Sequence, residues 1–168
     1  MKIKFYPSSA CLFAACLAVP AIPAASRTVE KAAEKTAVSD PHSKALLLGK
    51  HGLRLQWLGD NSLGAAVVTD KDGLLELAGR EDCKVSEGPG MGDFLEIAGV
   101  VTKINPKSFV FKGKITSKVY FLNEGKPCTR EGVFDFRITG QRHYWRILQK
   151  EHGCGDTSSV DYIDLLFR

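Results

Sequence analysis

Beyond Gly52 no stretch of this chain keeps apolar residues at the 3.6-residue spacing of an amphipathic helix, which excludes a helical core. His-Glu-x-x-His, Gly-x-Ser-x-Gly and Gly-x-x-x-x-Gly-Lys-Ser/Thr are all missing, and with them the best-known zinc-protease, serine-hydrolase and phosphate-loop signatures. The glycines between Gly88 and Gly92 lack the following lysine and helix that cradle a phosphate, so they read as a loop. Nor is there an apolar run of about 20 residues, the length that crosses a bilayer as a helix. Pro7, Pro20 and Pro23 interrupt the segment that comes nearest. Cysteine is sparse as well, five in 168 residues, and two of the five, Cys11 and Cys16, fall near the N-terminus.

The N-terminus carries an export pattern instead. Lys2 and Lys4 form a basic start, Phe5 to Ala18 is largely apolar, and small residues follow at Ala21, Ala24, Ala25 and Ser26. Residues 1–26 are therefore expected to be a signal peptide cleaved at Ala24-Ala25-Ser26, which sends the chain to the periplasm or outside the cell. Phe13-Ala14-Ala15-Cys16 resembles the lipobox of bacterial lipoproteins, with Phe where Leu or Val is usual. Lipidation at Cys16 is the alternative processing route, and membrane association is expected only through it. Residues 27–50, rich in Ala, Ser, Thr, Lys and Glu, read as a flexible linker ahead of one domain at 51–168.

Past the signal three cysteines remain, Cys83, Cys128 and Cys154. An odd number in an oxidising compartment permits one internal bridge and leaves one thiol. Cys128 and Cys154 are the favoured pair, because the hairpin between them, Thr129 to Lys150 with its turn at Gly140-Gln141, returns the chain to its starting end. Closing that loop stabilises the fold by about 3 kcal/mol on chain-entropy grounds. Cys83, in the polar run Arg80 to Lys84, is expected to stay free.

The domain reads as strands and turns. Leu53, Leu55 and Trp57 alternate with polar residues, and Asp72-Gly73 marks a hairpin between Ala65–Thr69 and Leu74–Ala78. Gly79 to Asp93 is the one long irregular connection. Phe94–Ile104 and Ser108–Phe121 pair across Asn105-Pro106-Lys107; Phe109, Phe111, Ile115, Val119 and Phe121 share one face, with Lys112, Lys114 and Lys118 on the other. Phe134, Phe136 and Ile138, then His143, Trp145 and Ile147, then Ile163, Leu165 and Phe167 make the faces of the last three strands. About eight antiparallel strands with short turns predict an all-β, closed or strongly curled barrel, calycin-like in outline. An eight-stranded outer-membrane barrel also alternates, but several strands are shorter than the 9 to 11 residues it needs.

Charge is uneven: Lys103 to Lys150 holds eleven Lys or Arg against three acids. On the last hairpin Arg130, Arg137, Arg142, Arg146 and Lys150 accompany Tyr144 and Trp145. Arg forks and aromatic rings suit carboxylates, phosphates or sugars, so Arg137, Arg142, Tyr144, Arg146 and Lys150 are the candidate binding set. Nucleic acid is disfavoured for an exported chain of small net charge. Cys128, His152, Cys154 and Asp156 could be drawn as metal ligands, but the disulfide takes the two cysteines, and no metal or cofactor is expected. Asp161 and Asp164, three apart on a strand, face opposite sides and cannot flank one bond. Asp164 is expected to pair with Arg137 or Arg146. His143 reads as a strand histidine among aromatics, with no nucleophile beside it.

Gly125-Lys126-Pro127-Cys128, Thr139 to Arg146, Cys154 and Asp161-Tyr162-Ile163-Asp164 together resemble a group of exported bacterial single-domain β proteins without assigned activity. The resemblance spans about the last 120 residues; it implies the cysteine pairing and the single β domain, and transfers no catalytic residue. The expectation is a non-enzymatic domain that binds an anionic envelope component or a protein. A lipocalin-like carrier, with a cavity lined by Phe109, Phe111, Phe134, Phe136 and Trp145, is one alternative. Others are an enzyme using His143 or Cys83, and an inhibitor of a secreted enzyme presenting the Glu87–Asp93 loop.

Overall fold

The computed structural model describes residues 35–155 and 158–167. After a two-residue strand β1 (Ala37–Val38) and a helix α1 (Pro41–Leu47), eight strands follow in a meander. They are β2 (Gly49–Leu55), β3 (Gly64–Lys71), β4 (Leu74–Asp82), β5 (Phe94–Asn105), β6 (Ser108–Lys118), β7 (Cys128–Arg137), β8 (Tyr144–Ile147) and β9 (Ile163–Leu166). Each pairs antiparallel with the next, and β9 pairs antiparallel with β2, which closes an eight-stranded up-and-down barrel. Closure leaves no full-length edge to template another chain.

Alternation decides what points inward. Leu53 and Leu55, Leu75 and Leu77, Leu95 and Ile97, Phe109 and Phe111, Phe134 and Phe136, Trp145 and Ile147, and Ile163 and Leu165 are all buried. Outward positions include Glu96, Lys114 and Glu131, the last two paired across β6 and β7 at 3.3 Å. A membrane barrel needs the reverse, an apolar band outside. Among the described residues no helix is long and apolar enough to cross a membrane.

Two devices bend the sheet. Gly99, Gly113 and Gly132 stand at one register across β5, β6 and β7. A Cβ on Gly113 would run into the Ala98 carbonyl and the Phe111 ring, so glycine permits the close approach that a sharp curl demands. In β5 a bulge between Val101 and Lys103 shifts the inward phase, so that Val101 and then Ile104 are buried.

Residues 35–50 depart from the expectation of a linker. β4 starts opposite Val101, so β5 overhangs it, and β1 pairs in parallel with that overhang at Lys103 and Ile104. The Thr36 hydroxyl donates to Val101 O at 2.6 Å and accepts from Leu75 N–H at 2.9 Å. In α1 the Asp40 carboxylate caps Ser43 N–H at 3.0 Å, Pro41 opens the first turn, and Leu47 is fully buried. His51, buried beneath it, places one ring nitrogen 2.8 Å from Leu47 O and the other 3.2 Å from Leu166 O. A short amphipathic segment thus ties the start of the domain to its last strand. The composition that suggested a linker is that of the solvent side.

The barrel has two unlike ends. The helix end carries α1 and the tight connections 72–73 and 106–107 together with 138–143, whereas the other carries the long loops 56–63, 83–93, 119–127 and 148–162. Cys128 and Cys154 are disulfide-bonded at this second end, with Cα atoms 5.8 Å apart. The long β4 absorbs part of the expected irregular connection, which begins at Cys83 rather than Gly79. Phe121 also departs from its expected face, because β6 stops at Lys118 and the ring is half exposed, edge-on to Trp57.

Candidate functional site

One row of outward side chains crosses four neighbouring strands. Arg54 on β2 stands beside Asp164 on β9, Asp164 beside Arg146 on β8, and Arg146 beside Arg137 on β7. Period-2 alternation turns all four away from the core that Leu53, Leu165, Trp145 and Phe136 fill. Arg146 donates to both Asp164 oxygens at 2.6 Å, a two-pronged pair that keeps the guanidinium firmly charged and fixes its plane. The expected partnership of Asp164 with Arg146 is therefore present.

A groove of about 240 Å³ opens beside this row, lined by Arg137, Thr139, Arg142, Arg146, Lys150 and Tyr162 among others. Asp164 neutralises Arg146, but Arg137, Arg142 and Lys150 have no carboxylate partner among the described residues. Arg142 is held by the Thr139 hydroxyl at 2.7 Å and lies 5.6 Å from the centre of the Tyr144 ring. Arg146 packs over Tyr144 and Tyr162 at 5.2 and 4.5 Å, and Lys150 over Tyr162 at 5.3 Å. Tyr144 and Tyr162 thus space the cations along one surface. All five members of the candidate set gather here.

Arg130 does not join them. It sits at an inward position of β7, where NH1 donates to Gln149 O at 3.0 Å and to Glu151 O at 2.7 Å. Its NH2 reaches Asp161 at 3.3 Å. Asp161 is fully buried and also accepts from Trp57 Nε1 at 3.1 Å and faces His152 Nδ1 at 3.0 Å. Burial pulls the Arg130 pKa down and the charge of Asp161 opposes that. This buried cluster grips the loop that carries Lys150 and leads into Tyr162. The phase of β7 was the available signal: Cys128, Arg130, Gly132, Phe134 and Phe136 share one face.

Residues 35–167 match the PM1083 family. The chain belongs to that family. A relative in Pasteurella multocida (strain Pm70), the uncharacterized protein PM1083, is 36% identical over 122 residues, covering 72% of this chain and 73% of the relative. No solved structure matches. The family match begins where the described residues begin, so β1 and α1 lie within it in this PM1083-family barrel.

The other candidates fare differently. Cys83 is free and half-buried at the disulfide end, while His143 is exposed at the helix end, in a bend before β8, against the edge of Phe167. The two cannot act together, and His143 is not the packed strand histidine expected. No group of three metal-ligating side chains occurs among the described residues. Asp156, like Cys16 and the whole of 1–26, lies outside them. The aromatics proposed as a cavity lining instead pack on one another: Phe109 on Phe136 at 4.9 Å, Phe109 on Trp145 at 5.7 Å, Phe111 on Phe134 at 6.1 Å. They are buried in the interior of the barrel.

One inward residue went unanticipated. Glu81 continues the buried phase of Leu75, Leu77 and Gly79 on β4, and is fully buried. Its Oε2 accepts from Leu55 N–H at 2.6 Å, and Oε1 has no partner among the described residues. Burial pushes this carboxyl up to about 7, against the Leu55 hydrogen bond and the charge of Arg54. An acid in an apolar phase was the signal, hidden by ending the strand at Ala78.

Proposed function

We propose that this protein is an exported, non-enzymatic binding domain that takes an anionic group of an envelope component in the groove beside β7, β8 and β9. The observation that carries the reading is that Arg137, Arg142 and Lys150 line about 240 Å³ with no carboxylate partner among the described residues. Like charges held together raise a local positive potential, and an anion relieves it. Guanidinium forks grip a phosphate or carboxylate through paired N–H donors, and the lysine adds a point charge. Export is supported by the basic and apolar pattern of residues 1–26 and by the disulfide, which suits a periplasmic or extracellular setting.

The test is an amide NMR titration with inorganic phosphate at low ionic strength, on protein recovered from the envelope fraction of its own cells. Shifts are expected at Arg137, Arg142, Tyr144, Lys150 and Tyr162. The Arg142→Ala/Lys150→Ala double variant should bind at least about tenfold more weakly, and added salt should weaken binding further. Shifts centred on Lys114 and Lys118 of β6 would replace the groove with a diffuse basic face. Recovery from the cytosol with residues 1–26 attached would overturn export.

A further inference from the structure

The basic groove does not end at Arg146 and Tyr162. Those two residues also line a second groove of about 180 Å³, whose other walls are Arg54, Gln56, Asp60 and Asp164. Its character is different. Arg54 donates to Asp60 Oδ1 at 3.1 Å and to Asp60 O at 3.2 Å. Gln56 uses its amide nitrogen on Val160 O at 3.0 Å, which leaves Oε1 without a partner among the described residues. Asp60 is fully exposed and its second oxygen is likewise without a partner among them. The second groove therefore offers neutral and anionic acceptors beside a guanidinium donor, with the Tyr162 ring as its one aromatic wall.

We infer that the bound molecule is a sugar carrying a single phosphate or carboxylate, with its charge in the first groove and its hydroxyls in the second. This rests on the anion-binding reading above and names the ligand class for it. Hydroxyls both donate and accept, which matches an amide oxygen, a carboxylate oxygen and Arg N–H groups standing together. A second anionic group would meet two guanidinium groups already paired, Arg54 with Asp60 and Arg146 with Asp164, and no free cation to offset it. An alkyl chain would strip water from Arg54, Gln56, Asp60 and Asp164 and gain contact with the Tyr162 ring alone. The two grooves together lie near the lower end of the roughly 300–1,000 Å³ of small-molecule sites.

The inference is tested by calorimetric titration of the whole mature protein with inorganic phosphate, glucose 1-phosphate, glucuronate and glucose 1,6-bisphosphate. At least one of the two sugars with a single anionic group should bind about tenfold more tightly than inorganic phosphate, the worth of one or two added hydrogen bonds. Asp60→Ala and Gln56→Ala should each reduce that advantage without weakening the binding of inorganic phosphate. Asp60 is exposed enough that the fold does not rest on it. The bisphosphate should bind no better than the monophosphate. If both acidic sugars match inorganic phosphate, or the bisphosphate binds most tightly, the inference falls and the anion site stands. If none of the four binds, both fall together.

Discussion

The two ends of the barrel solve the same problem with different materials. At the helix end, connections of two residues between β3 and β4 and between β5 and β6 leave few backbone groups to satisfy. The interior there is apolar apart from His51, with Trp145 set against Phe109 and Phe167 and Leu47 packed in from α1. At the disulfide end four long loops fold over the opening, and their amides and carbonyls need partners away from water. Buried charges provide them. Glu81 takes Leu55 N–H, Asp93 takes Tyr120 N–H, and Arg130 takes the carbonyls of Gln149 and Glu151. Charges sit inside this barrel where loops, rather than strands, close it.

Removing the largest of these supports should separate the ends most clearly. Arg130→Ala would leave Asp161 buried without its cation and free two loop carbonyls, a loss of about 3–5 kcal/mol in urea unfolding at neutral pH. Hydrogen exchange should rise first in 148–162. A loss below about 1 kcal/mol would mean that the disulfide alone holds the loop.

Glu81 gives the disulfide end a pH signature. Its folded pKa, about 7, lies above the ordinary 4.5. Between those values the folded chain binds more protons than the unfolded one. Its contribution is therefore full below about pH 4.5 and is lost as pH rises through 7, on the order of 3 kcal/mol. The stability difference between Glu81→Gln and the parent should accordingly move in favour of the variant from pH 5 to pH 8. A constant difference would show that folded Glu81 is ionised across this range, as it is in the unfolded chain. Asp40→Ala, at the helix end, should be the mildest change, a small loss from the missing cap, with no pH trend above 5. A larger effect would make α1 an essential closure of its end.

Much of the architecture was legible because alternation is a local property. Phe109 and Phe111, Phe134 and Phe136, and Trp145 and Ile147 announce their buried face within a few residues, and Asp72-Gly73 announces its turn. The cysteine pair followed from the same local logic. Two readings failed where tertiary context overrode it. Phe121 lost its face because β6 stops early. Residues 35–50 gained structure because β5 overhangs β4. Arg130 is different, since the alternation of β7 already turns it inward with Phe134 and Phe136. The candidate site was half legible: Arg137, Arg142, Arg146 and Lys150 are close in sequence, but Arg54, Gln56, Asp60 and Tyr162 come from segments that only barrel closure brings beside them.

The sequence by itself determined the strand faces, the disulfide and the cationic character of the last hairpin, since each depends on spacing or composition within a short window. Tertiary structure alone decided that β2 closes on β9, and with it that Arg54, Asp164, Arg146 and Arg137 form one row. Register between strands more than 100 residues apart is set by the packing of the whole interior. No local pattern encodes it.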